Sequence, residues 1–137
     1  MEDCLEKRIE KMHQYHRRGY NCAQSLVCAF CDKVELDEKT LFKIAEGFGL
    51  GMGGMNGVCG AVSAGIILNG LKTSTGNLEQ PDSKKNTQGL SKIMTNEFME
   101  KHGSIVCREL KGLDNKEGFT SCDQCMEDMA NIIEKYL

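Results

Sequence analysis

The chain has 137 residues with a formal net charge of −3, and 40% of them are hydrophobic, as in one ordinary globular domain. The charge is small and negative and Trp is absent, so no nucleic-acid partner is expected. The charged N-terminus lacks the apolar core of a secretory signal, and no segment reaches the roughly 18 apolar residues of a membrane span. These features predict a single cytoplasmic domain over residues 1–137, without membrane insertion.

Hydrophobic periodicity predicts three helices in the first third of the chain. The first covers about residues 2–18 and is ended by Gly19. Asn21 is a good N-cap for the second helix, and Asp37 for a short third helix. The residues predicted to face inward are Leu5, Ile9, Met12 and His16 in the first helix, Ala23, Leu26, Val27, Phe30 and Val34 in the second, and Leu41, Ile44, Ala45 and Phe48 in the third.

A glycine-rich segment, residues 47–57, precedes a nearly all-apolar run over residues 58–71. A helix that is apolar on every side usually forms the buried centre of a bundle. A strand is the alternative, because Val and Ile favour sheets. We favour a helix because the run is long and rich in Ala and no partner strand is visible elsewhere.

The second half of the chain also follows a helical pattern. Polar residues 72–83 predict a connecting loop, after which Asp82 is predicted to open a long helix that Gly103 closes. Its inward residues are predicted to be Leu90, Ile93, Met94, Glu97 and Phe98. Ser104 is predicted to cap a short turn.

The chain ends in a polar stretch, residues 112–120, and a last helix that Ser121 is predicted to cap. The inward residues of this helix are predicted to be Met126, Met129, Ile132, Ile133 and Tyr136. The complete pattern predicts an all-α, single-domain bundle of five or six helices, with residues 58–71 as its buried central helix after the glycine-rich loop.

Eight cysteines are the most unusual feature of the composition. Cytosolic thiols are kept reduced, so such a chain is more often metal-binding or catalytic than disulfide-stapled. The first turn of a helix offers free backbone N–H groups and a partial positive charge, and both stabilise a thiolate. The cysteines that fall in the first turn of a predicted helix, and are therefore the candidate redox-active or metal-binding residues, are Cys22, Cys59, Cys107 and Cys122.

The other four cysteines receive different interpretations. Cys28 and Cys31 are predicted to lie within the second helix as buried small hydrophobic residues, and Cys4 is given no functional role. Cys125 forms a Cys-x-x-Cys pair with Cys122 and is interpreted as an accessory. The two Cys-x-x-Cys pairs could also hold a structural zinc ion, but about 90 residues separate them, far more than in zinc ribbons.

The glycine-rich loop contains the Gly-x-Gly-x-x-Gly pattern of dinucleotide-binding proteins at residues 49–54. A helix rather than a strand is predicted before it, and the Lys-Ser/Thr of a P-loop is missing, so no nucleotide cofactor is expected. The glycines are interpreted as backbone close to Cys59 that lets a partner thiol approach or donates N–H groups to a sulfur. The candidate cofactor-binding positions are Gly53, Gly54, Gly57 and Gly60.

Three further polar signals are weaker. His13 and His16 could share one helix face as metal ligands do, but two arginines follow them, which favours a solvated or partner-facing surface. His102 is predicted to stabilise the end of a helix. Arg108 would lower the pKa of the preceding thiol if its guanidinium lay nearby, and a solvated ion pair with Glu109 is the equal alternative.

The order and context of these features resemble a known family. Residues 59–65 read Cys-Gly-Ala-Val-Ser-Ala-Gly, and essentially the whole chain is similar to the putative redox-active proteins defined by a C…GCAxxG…C…C pattern, which carry a Cys-Gly-Ala-x-x-Gly motif. The similarity includes residues 21–23, 51–54 and 107–110 and the final helix. The family's closing glycine falls at position 64, where this chain has Ala64 followed by Gly65.

The resemblance implies a four-cysteine redox role, matched here by Cys22, Cys59, Cys107 and Cys122. Cys122 is preferred to Cys125 as the last of the four, because the apolar residues after it then fall where the family's apolar helix positions fall.

The predicted function is a redox protein whose four cysteines hold an iron–sulfur-type metal centre and carry electrons for a partner protein. The first alternative is dithiol–disulfide cycling, with Cys59 as the reactive thiol and Cys107 or Cys122 resolving it. The second alternative is a structural zinc site in an interaction module. In the redox readings, the quartet is expected to meet around the start of the central helix.

Overall fold

The computed structural model describes residues 2–112 and 120–137, so most of the predicted polar stretch at 112–120 lies outside the described residues. The helices are α1 (Glu2–Arg17), α2 (Cys22–Ala29), α3 (Glu38–Ala45), α4 (Gly49–Met52), α5 (Gly60–Thr73), α6 (Lys84–His102), α7 (Cys107–Leu110) and α8 (Cys122–Tyr136). α4 and α7 are single turns, and the other six are longer. The predicted all-α class is confirmed.

Local capping rules explain where several helices begin and end. Asn21 forms a capping box with Gln24 at the start of α2. The side chain of each residue accepts a hydrogen bond from the backbone N–H of the other. The side chains of Asp37 and Ser121 accept backbone N–H groups of the first turns of α3 and α8. Gly19 and Gly103 follow α1 and α6 with φ of 108° and 79°, a left-handed conformation that favours glycine. These predicted caps and stops are confirmed.

The central helix is α5, which contacts α2, α6 and α8. Its first six residues are all buried, as predicted, although the helix begins at Gly60 rather than at Val58. Ala64 is fully buried, and a side chain at Gly65 would overlap the end of Met129 on α8. The small pair at positions 64 and 65 therefore lets α8 pack closely on the central helix.

Some inward-facing predictions are wrong at the edges of the bundle. Ile44 is 41% exposed and Ile93 is 50% exposed, because the neighbouring helices cover only the adjacent part of each helix face. α6 begins at Lys84 with Ser83 as its N-cap residue, two residues after the predicted start. In the described part of the chain, no helix is both long and apolar enough to cross a membrane.

Candidate functional site

A cavity of about 160 Å³ lies where α2, α5, α7 and α8 begin. The cysteines that line it are Cys22, Cys59, Cys107, Cys122 and Cys125. The structure therefore brings the four predicted cysteines together at the start of the central helix and adds Cys125. The remaining cysteines are not among the lining residues: Cys4 is exposed, Cys28 is buried in the core, and Cys31 is half-buried.

Gly60 brings the starts of α2 and α5 into contact. A Cβ at this position would lie 3.3 Å from the Cβ of Cys22 and 3.2 Å from the backbone nitrogen of Ala23. These separations are tighter than ordinary van der Waals contacts, so a larger residue would push the two helices apart. Because Cys22 begins α2 and Cys59 directly precedes α5, the glycine of the Cys-Gly-Ala motif sets how closely these two cysteines approach.

The glycine-rich loop forms the wall beside Cys107. Gly51 has φ of +56°, and a Cβ there would overlap the Cβ of Cys107. Leu50, Met52 and Met55 are also left-handed, with φ of 56°, 61° and 68°. Such a conformation is costly for residues with a side chain. The loop thus holds a strained path that places bare backbone against a cysteine.

The predicted cofactor-binding glycines occupy different places. Gly60 lines the cavity. The carbonyl of Gly57 accepts the backbone N–H of Cys107 at 3.0 Å. Gly53 and Gly54 have open space where a Cβ would stand and are absent from the cavity lining.

A small backbone clamp fixes Cys59 beside Cys107. Val58 and Val106 form an isolated antiparallel bridge, and the N–H of Cys59 donates to the carbonyl of Ile105 at 2.7 Å. The predicted cap Ser104 lies just before this clamp, where its hydroxyl accepts the N–H of Val106 at 3.0 Å. Val106 itself is the N-cap residue of α7, so Ser104 orders the turn before the helix instead of capping it.

Four of the lining cysteines form two thiol–thiolate pairs. Cys122 accepts a hydrogen bond from the Cys22 thiol, and this bond together with the Lys111 ammonium lowers the pKa of Cys122 to about 6. Cys59 accepts a hydrogen bond from the Cys125 thiol. This bond and two backbone N–H groups at the start of α5 lower the pKa of Cys59 to about 7. Each pair therefore holds one thiolate and one thiol.

The expectation of a stabilised thiolate at all four predicted cysteines is wrong for Cys22 and Cys107. The hydrogen bond that Cys22 donates to Cys122, together with burial, raises the pKa of Cys22. Burial raises the pKa of Cys107, and the negative charges of Cys59 and Cys122 act in the same direction. The donated hydrogen bond at Cys22 and burial at Cys107 therefore outweigh the favourable helix start, and the neighbouring thiolates add to both effects.

Among the described residues that line the cavity, Lys111 carries the ammonium group that faces these sulfurs, and the sequence patterns did not point to it. It lines the cavity and donates a hydrogen bond to Cys122. Arg108, the predicted cation, donates from Nε to the side-chain oxygen of Asn56 at 3.2 Å and is absent from the lining. Lys111 follows Cys107 by four residues, a spacing that places two side chains on one helix face. This spacing is the sequence feature that could have identified Lys111 as a neighbour of the cysteines.

The histidines of α1 contact α8. Nδ1 of His16 lies 3.5 Å from a carboxylate oxygen of Asp123, and Nε2 of His13 lies 2.8 Å from one of Glu127. His16 also lines the cavity. The predicted solvated or partner-facing surface is therefore wrong, because these side chains contact carboxylates of α8 within the chain.

His102 is the last residue of α6, at a helix end as predicted, and its stabilisation of that end stays a prediction. Its Nε2 lies 2.8 Å from a carboxylate oxygen of Asp128, and both side chains are less than 10% exposed, at 6% and 8%. Among residues 2–112 and 120–137, no three His, Cys, Asp or Glu side chains form a group that could hold a metal ion.

Comparison with known proteins relates the chain to one family. The model of the family described as "Putative redox-active protein (C_GCAxxG_C_C)" matches residues 20–136, a range that includes every cysteine lining the cavity. The comparisons with curated proteins and with solved structures give no match. Because the family match covers most of the chain, it supports a redox role. The chain belongs to the C_GCAxxG_C_C family of putative redox-active proteins.

Proposed function

We propose that the protein is a thiol–disulfide redox protein in which Cys59 pairs with Cys125 and Cys22 pairs with Cys122. The observation that supports this function is the hydrogen bonding of a thiolate to a thiol within each pair, inside one cavity. A thiolate is the nucleophile in disulfide exchange, and a neighbouring thiol completes the reaction.

The residues supply each part of the reaction with a partner disulfide. A thiolate of the protein, Cys122 or, for a small-molecule disulfide, Cys59, attacks one partner sulfur and releases the other as a thiolate. The paired thiol, Cys125 or Cys22, then loses its proton, attacks the mixed disulfide and releases the second partner sulfur. Two electrons pass to the partner, and the protein retains a disulfide.

This assignment differs from the sequence-based alternative in the resolving residue. Cys59 keeps its role as a reactive thiol, but its hydrogen-bonded partner is Cys125 instead of Cys107 or Cys122. Cys107 lines the same cavity and packs against Gly51, which makes it part of the wall.

Peptide mapping after oxidation tests the proposed function. The reduced chain has eight thiols, and closing two pairs should leave four for alkylation. Mass spectrometry should identify the Cys22–Cys122 and Cys59–Cys125 disulfides, and a dithiol reagent should reopen both. Cys59→Ser should remove one disulfide, whereas the matched variant Cys4→Ser should leave both. Unchanged thiol numbers after oxidation of the wild type would contradict the proposal.

An iron–sulfur centre is the second candidate, because five cysteine side chains face one cavity and cysteine thiolates hold such clusters. Cys22, Cys59, Cys107 and Cys122 would be its ligands, and the cluster would supply one-electron transfer. The described side chains are arranged as pairs and contain no metal-binding group of three, which places this candidate second. Brown protein that contains iron and acid-labile sulfide after anaerobic purification would favour it.

Structural zinc has less support than either redox candidate. Cys122 and Cys125 line the cavity, whereas Cys28 and Cys31 do not, so the two Cys-x-x-Cys pairs do not share a site. Stoichiometric zinc that survives oxidant, in a protein without reactive thiols, would contradict both redox functions.

A further inference from the structure

We propose that the two cysteine pairs work in series, with Cys22 and Cys122 as an outer pair that meets the partner protein and Cys59 and Cys125 as an inner pair that meets only the outer pair. This inference rests on the thiol–disulfide function proposed above. It makes the protein a two-stage carrier of four electrons, because each pair stores two.

The two pairs differ in exposure. Cys59 is 6% exposed and Cys125 is 2% exposed, so the disulfide of a folded partner protein cannot reach either sulfur. Cys22 and Cys122 are both half-buried and lie at the starts of α2 and α8. Only the outer pair therefore offers a sulfur that a protein-sized substrate can approach.

The outer and inner pairs are joined through α8. Cys122 and Cys125 are three residues apart at the start of this helix, which places their side chains on one helix face. Both line the same cavity. A Cys-x-x-Cys sequence at a helix start is a recognised redox geometry, and here it connects one member of each pair.

The transfer from the reduced outer pair to the oxidised inner pair balances in two steps. The Cys122 thiolate attacks the sulfur of Cys125, which forms a Cys122–Cys125 disulfide and releases Cys59 as a thiolate. Cys22 then loses its proton and attacks the sulfur of Cys122. This releases Cys125, which takes up that proton. Two electrons move inward, and the outer disulfide is ready for reduction by a dithiol of the partner.

The surroundings of Cys59 favour its role as the leaving group. Its sulfur faces the backbone N–H groups of Ala61 and Val62 at the start of α5, and these groups stabilise the departing thiolate. Attack on the inner disulfide is therefore favoured at the sulfur of Cys125, with Cys59 released as the thiolate.

The test compares a protein reductant with a small one on the fully oxidised full-length chain. Reduced thioredoxin should open the inner disulfide of the wild type at least about tenfold faster than that of Cys22→Ser/Cys122→Ser. The small thiol 2-mercaptoethanol should reduce the inner disulfide of the wild type and of the double variant at rates within about threefold of each other, because its reaction does not depend on the outer pair. The double variant Cys4→Ser/Cys31→Ser should match the wild type. The readout is alkylation followed by mass spectrometry of the Cys59 and Cys125 peptides.

A second measurement covers the case in which the double variant does not fold. Cys22→Ser removes only the thiol of the second step, so the Cys122–Cys125 disulfide should accumulate. Its absence, or equal thioredoxin rates in the wild type and the double variant, would overturn the serial order. If the wild type forms both disulfides but fails these tests, the serial order is wrong and the proposed function stands. If the wild type forms neither disulfide, both the serial order and the proposed function are wrong.

Discussion

The Cys-x-x-Cys segment at residues 28–31 lies at the end of α2, whereas the one at residues 122–125 begins α8. Cys28 is fully buried, and burial raises its pKa to about 12, with the nearby Glu38 carboxylate acting in the same direction. Cys122 accepts a hydrogen bond from Cys22 and faces Lys111, and its pKa falls to about 6. The same spacing of residues thus gives opposite thiol acidities.

The difference teaches that the groups facing a sulfur, rather than the spacing of the motif, decide the acidity of its thiol. A helix start presents N–H groups and partial positive charge, whereas a helix end presents carbonyl groups and partial negative charge. The Cys28 sulfur donates to the backbone carbonyl of Glu38, the first residue of α3, at 3.7 Å. The Cys122 sulfur accepts hydrogen bonds.

The largest expected effect is in the alkylation rates of the two segments. At neutral pH, iodoacetamide should modify Cys122 at least about 100-fold faster than Cys28, because the thiolate reacts and Cys28 is almost entirely a buried thiol. Peptide mass spectrometry over time measures both rates in one sample. Equal alkylation rates would show that Cys122 and Cys28 do not differ in acidity and accessibility.

The pH dependence sharpens the same comparison. The lowered pKa of Cys122 means that its thiolate is present above about pH 6, so its alkylation rate should level off near pH 7. Below pH 6 the rate should fall about tenfold per pH unit as the sulfur takes up its proton. A rate that still rises between pH 8 and 9 would show an ordinary thiol.

Gly51→Ala should lower the free energy of unfolding by about 2 to 4 kcal/mol, the sum of a left-handed backbone and an overpacked contact. Gly51 belongs to the wall of the cavity, because a Cβ at this position would overlap Cys107. The segment at residues 122–125 lines this cavity, whereas the segment at residues 28–31 does not. Urea unfolding measures the loss. Gly47→Ala is the matched control, since nothing lies within 4 Å of its Cβ position, and it should change stability by less than about 0.5 kcal/mol. Equal losses would show that the wall is not tightly packed.

Lys111→Met should raise the pKa of Cys122 by about one unit, because it removes an ammonium group that donates a hydrogen bond to this sulfur. The pH profile of alkylation measures this shift, and Cys28 in the same sample should not change. Lys111→Arg keeps the charge and should restore most of the acidity. An unchanged profile in Lys111→Met would assign the acidity to Cys22 and the helix start alone.

Ser121→Ala should cost about 1 kcal/mol of stability through loss of an N-cap hydrogen bond. Asp37→Ala is the matched control, because Asp37 caps α3 in the same way without lining the cavity. Both variants should lower the urea midpoint by similar amounts, but only Ser121→Ala should also slow the alkylation of Cys122. If both variants slow it, the effect is one of global stability.

Local sequence rules predicted the helix class and many of the element boundaries. Caps such as Asn21 and stops such as Gly103 act within one turn, so their chemistry can be read from neighbouring residues. The exposure of Ile44 and Ile93 could not be read in this way. It depends on how far the neighbouring helices extend, which is a property of the packed bundle.

The sequence predicted which cysteines form the candidate site better than it predicted how they pair and how acidic their thiols are. Cys22, Cys59, Cys107 and Cys122 were singled out by helix position, and the structure gathers them with Cys125. The pairing of Cys125 with Cys59 arises because α8 packs on α5, and no local pattern states this contact. The thiol acidities also require knowledge of which sulfurs share a cavity, since charge repulsion depends on their distances.

Each cysteine pair joins α8 to a different helix, α2 or α5. Closing Cys22 to Cys122 spans 100 residues of the chain, and closing Cys59 to Cys125 spans 66. By the chain-entropy account, each such link would disfavour the unfolded state by about 4 to 5 kcal/mol. Thermodynamic linkage makes this effect reciprocal: oxidation stabilises the fold, and the fold in turn makes its dithiols easier to oxidise than the same cysteines in an unfolded chain.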